Sequence, residues 1–205
     1  MINTIVFDFG DVFINKEKDK KKQAFEDLGL SDWNDELHEL EGKLETGKIS
    51  EEAFLKGIQA HVPDASLSDI KEAWNTAMGD FPLKRLEFLQ KLSENYRLFL
   101  LSNTDPLHIE KFEQDNGASF YSDFYQCFEK VYFSHEIGIR KPNDEAYNYL
   151  INKHEIQPKR TLFVDDKKFN TDAAEALGFK VWQIRVGEDD VVEMFDKKIL
   201  GPEEA

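Results

Sequence analysis

The chain has 205 residues, 40% of them hydrophobic and 17 of them Phe, which suffices for a packed core with a smaller body attached and excludes wholesale disorder. A formal net charge of −15 repels nucleic-acid backbones and anionic membranes, so both are disfavoured as partners and a small molecule is favoured. The single cysteine, Cys127, allows no intrachain disulfide; with no signal-like or membrane-spanning apolar run, it points to a reducing, cytoplasmic setting.

The first apolar run, Ile5-Val6-Phe7, ends abruptly at Asp8. Residues 15–81 then break the strand pattern: they are charged and carry helix starts such as Ser50 before Glu51-Glu52 and Ser66 followed by Asp69. This predicts a small helical cap inserted after the first strand, with residues 1–14 and 82–205 forming the core. The Lys16–Lys22 run reads as a solvated helix face. Within the cap, the Leu44–Lys48 stretch around Gly47 is the candidate loop facing the site.

Pro82 opens a predicted helix through Leu86, Leu89 and Leu92, which leads into Leu98-Phe99-Leu100-Leu101. Further runs follow at Val131-Tyr132-Phe133, Leu162-Phe163-Val164 and Val181-Trp182-Gln183-Ile184. Helical spacing recurs between them, after Asn143 and again at Ala173, Ala174 and Leu177 before Gly178. Most of the runs lack polar alternation, as strands buried on both faces do. The fold class is therefore α/β, a doubly wound, Rossmann-like parallel sheet.

In such sheets ligands sit beyond the carboxyl ends of the strands. The residues just past the runs are Asp8 with Gly10 and Asp11, Ser102-Asn103, Lys141 before Pro142, and Asp165-Asp166 with Asn170 nearby. Several acids at one sheet edge cannot all ionise unless something positive sits among them. A magnesium ion held by oxygen ligands meets that need, and carboxylate, metal, lysine and hydroxyl together suit phosphoryl transfer.

The segments "FDFGDV", "LLSNT", "RKPN" and "FVDDKKFN" resemble, in order, the four motifs of haloacid dehalogenase (HAD) superfamily hydrolases. Among these the chain is most similar to glucose-1-phosphatase-like phosphatases with a helical cap. The resemblance implies that Asp8 is nucleophile and metal ligand, that the Gly10 carbonyl and Asp166 complete the magnesium site, and that Ser102, Asn103 and Lys141 hold the phosphoryl group. Asp165 would be a further ligand or an anchor behind the metal, and Asn170 would orient that loop. The substrate implied is a small phosphorylated metabolite, a sugar phosphate above all, hydrolysed through an aspartyl phosphate.

One position departs from the family pattern. Most HAD phosphatases carry a second aspartate two residues after the nucleophile as general acid and base; here it is Gly10. A positioned acid contributes about 10²–10⁴-fold, or roughly 3–5 kcal/mol of barrier, so its absence favours leaving groups that need little protonation. Asp11 is a substitute only if the backbone turns it inward. Two other functions remain open on the sequence: a metal-free 2-haloacid dehalogenase, against which the Asp165-Asp166 pair argues, and a catalytically weak phosphate-binding or regulatory protein. His108 reads as a loop or helix-start residue, Arg140 as a structural or rim residue and Cys127 as a small core or surface residue. Aromatic residues at 13% suit a core or an interface alike, so the oligomeric state stays open.

Overall fold

The computed structural model describes residues 1–200. Five parallel strands, β1 (Thr4–Phe7), β2 (Arg97–Ser102), β3 (Lys130–Phe133), β4 (Thr161–Asp165) and β5 (Lys180–Gln183), form one sheet in the order β3-β2-β1-β4-β5. β1 is central, and its last residue Phe7 lies opposite Leu100 on one side and Val164 on the other. The chain leaves β1 toward β2 and returns on the opposite side as β4. The carboxyl end of β1 is therefore the switch point where such sheets open a crevice.

Both faces of the sheet are covered, which is why the strand sequences lack polar alternation. Ile5, Phe7, Leu98, Leu100, Leu162 and Val164 enter one core, with helices α5 (Leu83–Ser93) and α6 (Pro106–Gln126). Val6, Phe99, Leu101 and Phe163 enter another, with α8 (Asp144–His154) and α9 (Lys168–Ala176). A single-turn helix, α7 (Ser134–Ile137), follows β3. The α9 helix begins five residues earlier than the Ala173–Leu177 periodicity indicates, immediately after the Asp165-Asp166 pair. It ends at Leu177, and Gly178 follows with φ of +92°. None of the described helices is long and apolar enough to cross a membrane.

Four helices lie between β1 and α5: α1 (Lys18–Asp27), α2 (Asp35–Leu44), α3 (Glu51–Gln59) and α4 (Leu67–Asn75). They surround a separate apolar cluster that includes Phe25, Leu37, Phe54, Ile70 and Trp74. Ser50 caps α3 by accepting from the Ala53 amide, and Ser66 with Asp69 forms a full capping box on α4. The outgoing and returning segments run side by side, with Glu17 N–H donating to the Ala77 carbonyl and Gly79 N–H to that of Asn15. Gly79 permits this approach: a Cβ there would stand 2.6 Å from the Asn15 carbonyl oxygen.

Arg85, in the first turn of α5, is buried and holds the outgoing segment to the core. Its guanidinium donates to the Phe13 carbonyl at 3.0 Å, Asn15 Oδ1 at 2.9 Å and Asp190 Oδ1 at 3.2 Å. Methionine at this position leaves those acceptors without their donor. Arg85→Met is expected to lower the unfolding free energy by about 2–4 kcal/mol, read from denaturant titrations.

Candidate active site

Three strand ends and one loop meet at the switch point. Asp8 follows β1 directly, and its N–H donates to the Val164 carbonyl at 2.9 Å, which fixes it beside the end of β4. The ammonium of Lys141, in the loop before α8, donates to Asp8 Oδ1 at 2.8 Å and to Asp165 Oδ2 at 2.7 Å. It is fully buried. Burial pulls its pKa down, but Asp165 and Asp8 together outweigh that and hold the amine well above the ordinary lysine value.

Asn103 sets where Lys141 stands. Its Nδ2 donates to the Lys141 carbonyl at 2.8 Å, and its Oδ1 accepts from the Lys141 amide at 2.9 Å. Ser102, the last residue of β2, is buried beside it. Asp165 accepts each of its hydrogen bonds, from Lys141 Nζ, the Lys167 amide at 2.8 Å and Asn170 Nδ2 at 2.9 and 3.0 Å. Burial raises this carboxyl, Lys141 opposes it and the Asp8 charge adds to the rise; with every hydrogen bond accepted from a donor, the carboxylate is the form that fits. Asn170 is itself buttressed by the Tyr147 hydroxyl, which donates to its carbonyl at 2.8 Å.

Asp166 behaves differently. One carboxylate oxygen each of Asp8, Asp165 and Asp166 lies within 4.8 Å of the others. Asp166 is half-buried, and burial first, then the charges of Asp8 and Asp165, push its carboxyl up to about 7. Left alone, the cluster shares a proton; a hard divalent cation with oxygen ligands would replace it, so this donor set fits such an ion. The loop after β1 leaves a further donor, because its backbone hydrogen bonds use the carbonyls of Phe9 and Ile14 and not that of Gly10.

Comparison with known proteins agrees with this arrangement. Residues 2–178 match the family of haloacid dehalogenase-like hydrolases. The chain belongs to that family.

Among its relatives is a D-ribitol-5-phosphate phosphatase of Bacteroides thetaiotaomicron, 32% identical over 92% of this chain and 95% of the relative. A HAD-family enzyme of the same organism, crystallised with magnesium, superposes with a TM-score of 0.83 at 30% identity over 92% of this chain and 96% of that one. Its complex with magnesium and inorganic phosphate gives 0.80 at 30% identity, over 92% and 97%. An L-2-haloacid dehalogenase of Xanthobacter autotrophicus, with covalently bound chloropropionic acid, shares the fold at 16% identity and a TM-score of 0.62, over 98% of this chain and 85% of that one.

In this HAD-like hydrolase a cavity of about 530 Å³ lies beside the acid cluster, lined by the core residues Asn103, Thr104 and Lys167 on one side and by Lys16, Lys21, Trp33 and Glu45 on the other. Two of these correct the sequence reading of Lys16–Lys22 as a solvated face. Lys18, Lys20 and Lys22 are exposed as expected. Lys16 precedes the helix and lies along Gly10, whose Cβ position would be 3.5 Å from the Lys16 Cγ and Cδ. Lys21 stands one turn before the buried Phe25 and shares its inward face, so the helix period carries it over Trp74, 3.7 Å from the ring centroid.

Asp11 is engaged by the segment that leads into α1. It takes a left-handed conformation at φ of +58°, and its oxygens accept from the Lys16 amide at 2.9 Å and the Lys18 ammonium at 2.8 Å. Arg140 faces away from the phosphoryl chemistry, donating to Glu45 Oε2 at 2.8 Å across the cavity rim. Cys127 is a buried residue after α6, its thiol pushed up to about 11 by burial and Asp123.

His108 sits in the first turn of α6, as a helix-start residue, but it is buried and stacks on Trp74 at 4.9 Å and 5°. Its Nδ1 lies 2.8 Å from Asp105 Oδ2, and its Nε2 faces the Trp74 carbonyl at 3.1 Å. Burial pulls the imidazole down and Asp105 opposes it; with an acceptor at each ring nitrogen, the pattern is complete when both carry protons. Asp105 resists burial through His108 and is held at about 2. No sequence signal marks this clasp beyond the Asp105-Pro106 helix start.

Of the Leu44–Lys48 loop, Glu45 lines the cavity and Gly47 packs on the core. Gly47 has φ of +65°, and a Cβ there would meet the His135 carbonyl oxygen at 2.3 Å. Gly47→Ala is expected to cost more than about 1 kcal/mol in thermal unfolding and to loosen this loop's contact with the core. The raised Asp166 carboxyl gives a second test. Folding takes up a proton between the ordinary value near 4 and the folded value near 7, so the stability present at acid pH is lost as pH rises through about 7. In cation-free protein the unfolding free energy should therefore fall between about pH 4 and pH 7, and Asp166→Asn should flatten that slope.

Proposed function

We propose that this hydrolase is a magnesium-dependent phosphomonoesterase acting on a small phosphorylated sugar or sugar alcohol through an aspartyl phosphate on Asp8. The observation that carries this is the buried Lys141 ammonium bridging Asp8 and Asp165, with Asp166 alongside. One oxygen of Asp8 is bound by the lysine, which leaves the other as nucleophile. The related D-ribitol-5-phosphate phosphatase and the magnesium and phosphate complexes of a similar enzyme support the substrate class and the ion.

Asp8, Asp166 and the Gly10 carbonyl would hold the magnesium, which supplies positive charge against the phosphoryl oxygens. Asp8 attacks phosphorus, the bond to the leaving oxygen breaks, and the leaving alkoxide takes its proton from solvent water. A water then attacks the same phosphorus, the Asp8–phosphorus bond breaks to return Asp8 as carboxylate, and the water's proton leaves with the phosphate or to solvent. Lys141 neutralises charge on both Asp8 and the phosphoryl group, Ser102 and the Asn103 backbone hold the latter, and Asn103 keeps Lys141 in place. Asp165 anchors Lys141 and the loop carrying Asp166, and Asn170 orients that anchor.

Gly10 offers no side chain to protonate the leaving oxygen. Among phosphate esters the enzyme should then favour those with better leaving groups, such as a sugar 1-phosphate, over simple alkyl phosphates. Phosphate release from p-nitrophenyl phosphate is expected to need magnesium and to stop with a chelator. Asp8→Asn should lower kcat by more than about 10³-fold. Full activity in that variant, or chelator-independent release of halide from a 2-haloacid, would overturn the assignment in favour of other chemistry.

A further inference from the structure

The cavity holds two ammonium groups that the phosphoryl chemistry does not use. Lys21 Nζ stands 3.7 Å from the Trp74 ring centroid and 4.7 Å from that of Trp33, while its carboxylate neighbour, Glu41 Oε1, is 3.8 Å away and outside hydrogen-bond reach. Lys16 Nζ donates to the Met78 sulfur at 3.3 Å, a weak acceptor. Each ammonium has three donors, so both keep donor capacity to offer within the cavity. Burial lowers the pKa of both amines, outweighing the carboxylates that raise it, Asp105 and Asp11 for Lys16 and Glu41, Asp105 and Glu45 for Lys21.

Carboxylates share the cavity wall with these donors. Glu41 Oε2 accepts from the Trp33 indole at 3.1 Å, and Glu45 Oε2 accepts from Arg140 at 2.8 Å. A second anionic group on a substrate would meet the lysines but be repelled by Glu41 and Glu45. A hydroxyl both donates and accepts, so neighbouring hydroxyls suit a wall on which ammonium and carboxylate groups are interspersed. The faces of the Trp74 indole, by contrast, are spent inside the protein. Trp74 stacks with His108 at 4.9 Å and with Trp33 at 5.6 Å, which leaves it no open face for a nucleobase.

We propose that Lys16, Lys21, Glu41 and Glu45 bind the hydroxyls of an uncharged polyhydroxy leaving group, with Lys21, held over the two indoles, as the residue on which selection turns. This rests on the phosphatase assignment above and extends it to the part of the substrate that is not phosphate. It excludes sugar-acid phosphates and nucleotides as preferred substrates. The wall places its ammonium and carboxylate groups on the inserted helices, their linkers and the α2–α3 turn, apart from the core residues that handle phosphorus.

The test compares kcat/KM with magnesium for D-ribitol 5-phosphate, D-glucitol phosphate, phosphogluconate, adenosine monophosphate and p-nitrophenyl phosphate. Glucitol phosphate and phosphogluconate differ in a terminal carboxylate. The wild type should prefer the two polyol phosphates over phosphogluconate and the nucleotide by at least tenfold. In Lys21→Met the ratio of polyol phosphate to p-nitrophenyl phosphate efficiency should fall at least tenfold, chiefly through KM. Lys21→Arg, which keeps a cation over the indoles, should retain most of the preference, and Lys20→Met on the exposed face should leave the ratio unchanged. An unaltered ratio in Lys21→Met, or a wild type that prefers phosphogluconate or the nucleotide, overturns the proposal while leaving the phosphatase assignment intact. Absence of turnover on every phosphate, p-nitrophenyl phosphate included, removes the assignment itself and this subsite with it.

Discussion

A buried ammonium between two carboxylates is the constraint on which the site depends. Lys141 cannot stay charged in a closed interior without Asp8 and Asp165, and neither acid could be packed so tightly without it. Removing one member of such a group leaves an uncompensated buried charge, at a typical cost of about 3–5 kcal/mol. The surrounding fold meets this demand in detail. β1 and β4 are adjacent, so Asp8 and Asp165 emerge side by side, and the end of β2 supplies Asn103, which clamps the Lys141 backbone from both directions. Asp165 is then saturated by donors, and Asp166 is left as the acid with spare capacity.

The inserted helices complete what the sheet edge begins. The sheet edge carries the Asp8–Lys141–Asp165 group, and the adjoining cavity is lined by both the inserted helices and core residues such as Asn103 and Thr104. Contacts between them include Glu45 with Arg140, Lys71 with Glu110, Gly47 against the His135 carbonyl, Leu107 within the apolar cluster of the inserted helices, and the Trp74–His108–Asp105 clasp. Paired linkers at residues 15–17 and 77–80 carry the chain across, and Lys16 in the first of them passes beside Gly10. The position where many family members place an acid–base aspartate is thus backed by a lysine stem instead. A strongly acidic chain, at −15, still presents lysines where an electron-rich substrate would lie.

Most of the core was legible in the sequence because each strand is a short apolar run that ends in a polar residue. A parallel sheet buried on both faces leaves that pattern, and its ends point to residues that meet, Asp8 with Asp165 and Asp166, joined there by Lys141 from the loop before α8. The cavity wall was not legible, for a physical reason. Lys16 to Lys22 is monotonously polar, and only the phase of α1, set by Phe25, distinguishes the inward Lys21 from the solvated Lys20 and Lys22. The long α6 was equally quiet: Gly117, at φ of +77°, breaks its helical geometry, and its apolar positions do not repeat evenly. His108 gains its surroundings from Trp74, 34 residues away, which no local pattern records.

The account stands or falls on Asp8 becoming covalently linked to phosphorus. Enzyme quenched with acid during turnover, reduced with borohydride and digested for peptide mass analysis would report the site of any acyl phosphate. Reduction confined to Asp8, and lost when magnesium is withheld, is the predicted result. Rapid phosphate release with Asp8 unmodified, or with the modification on another residue, would contradict it.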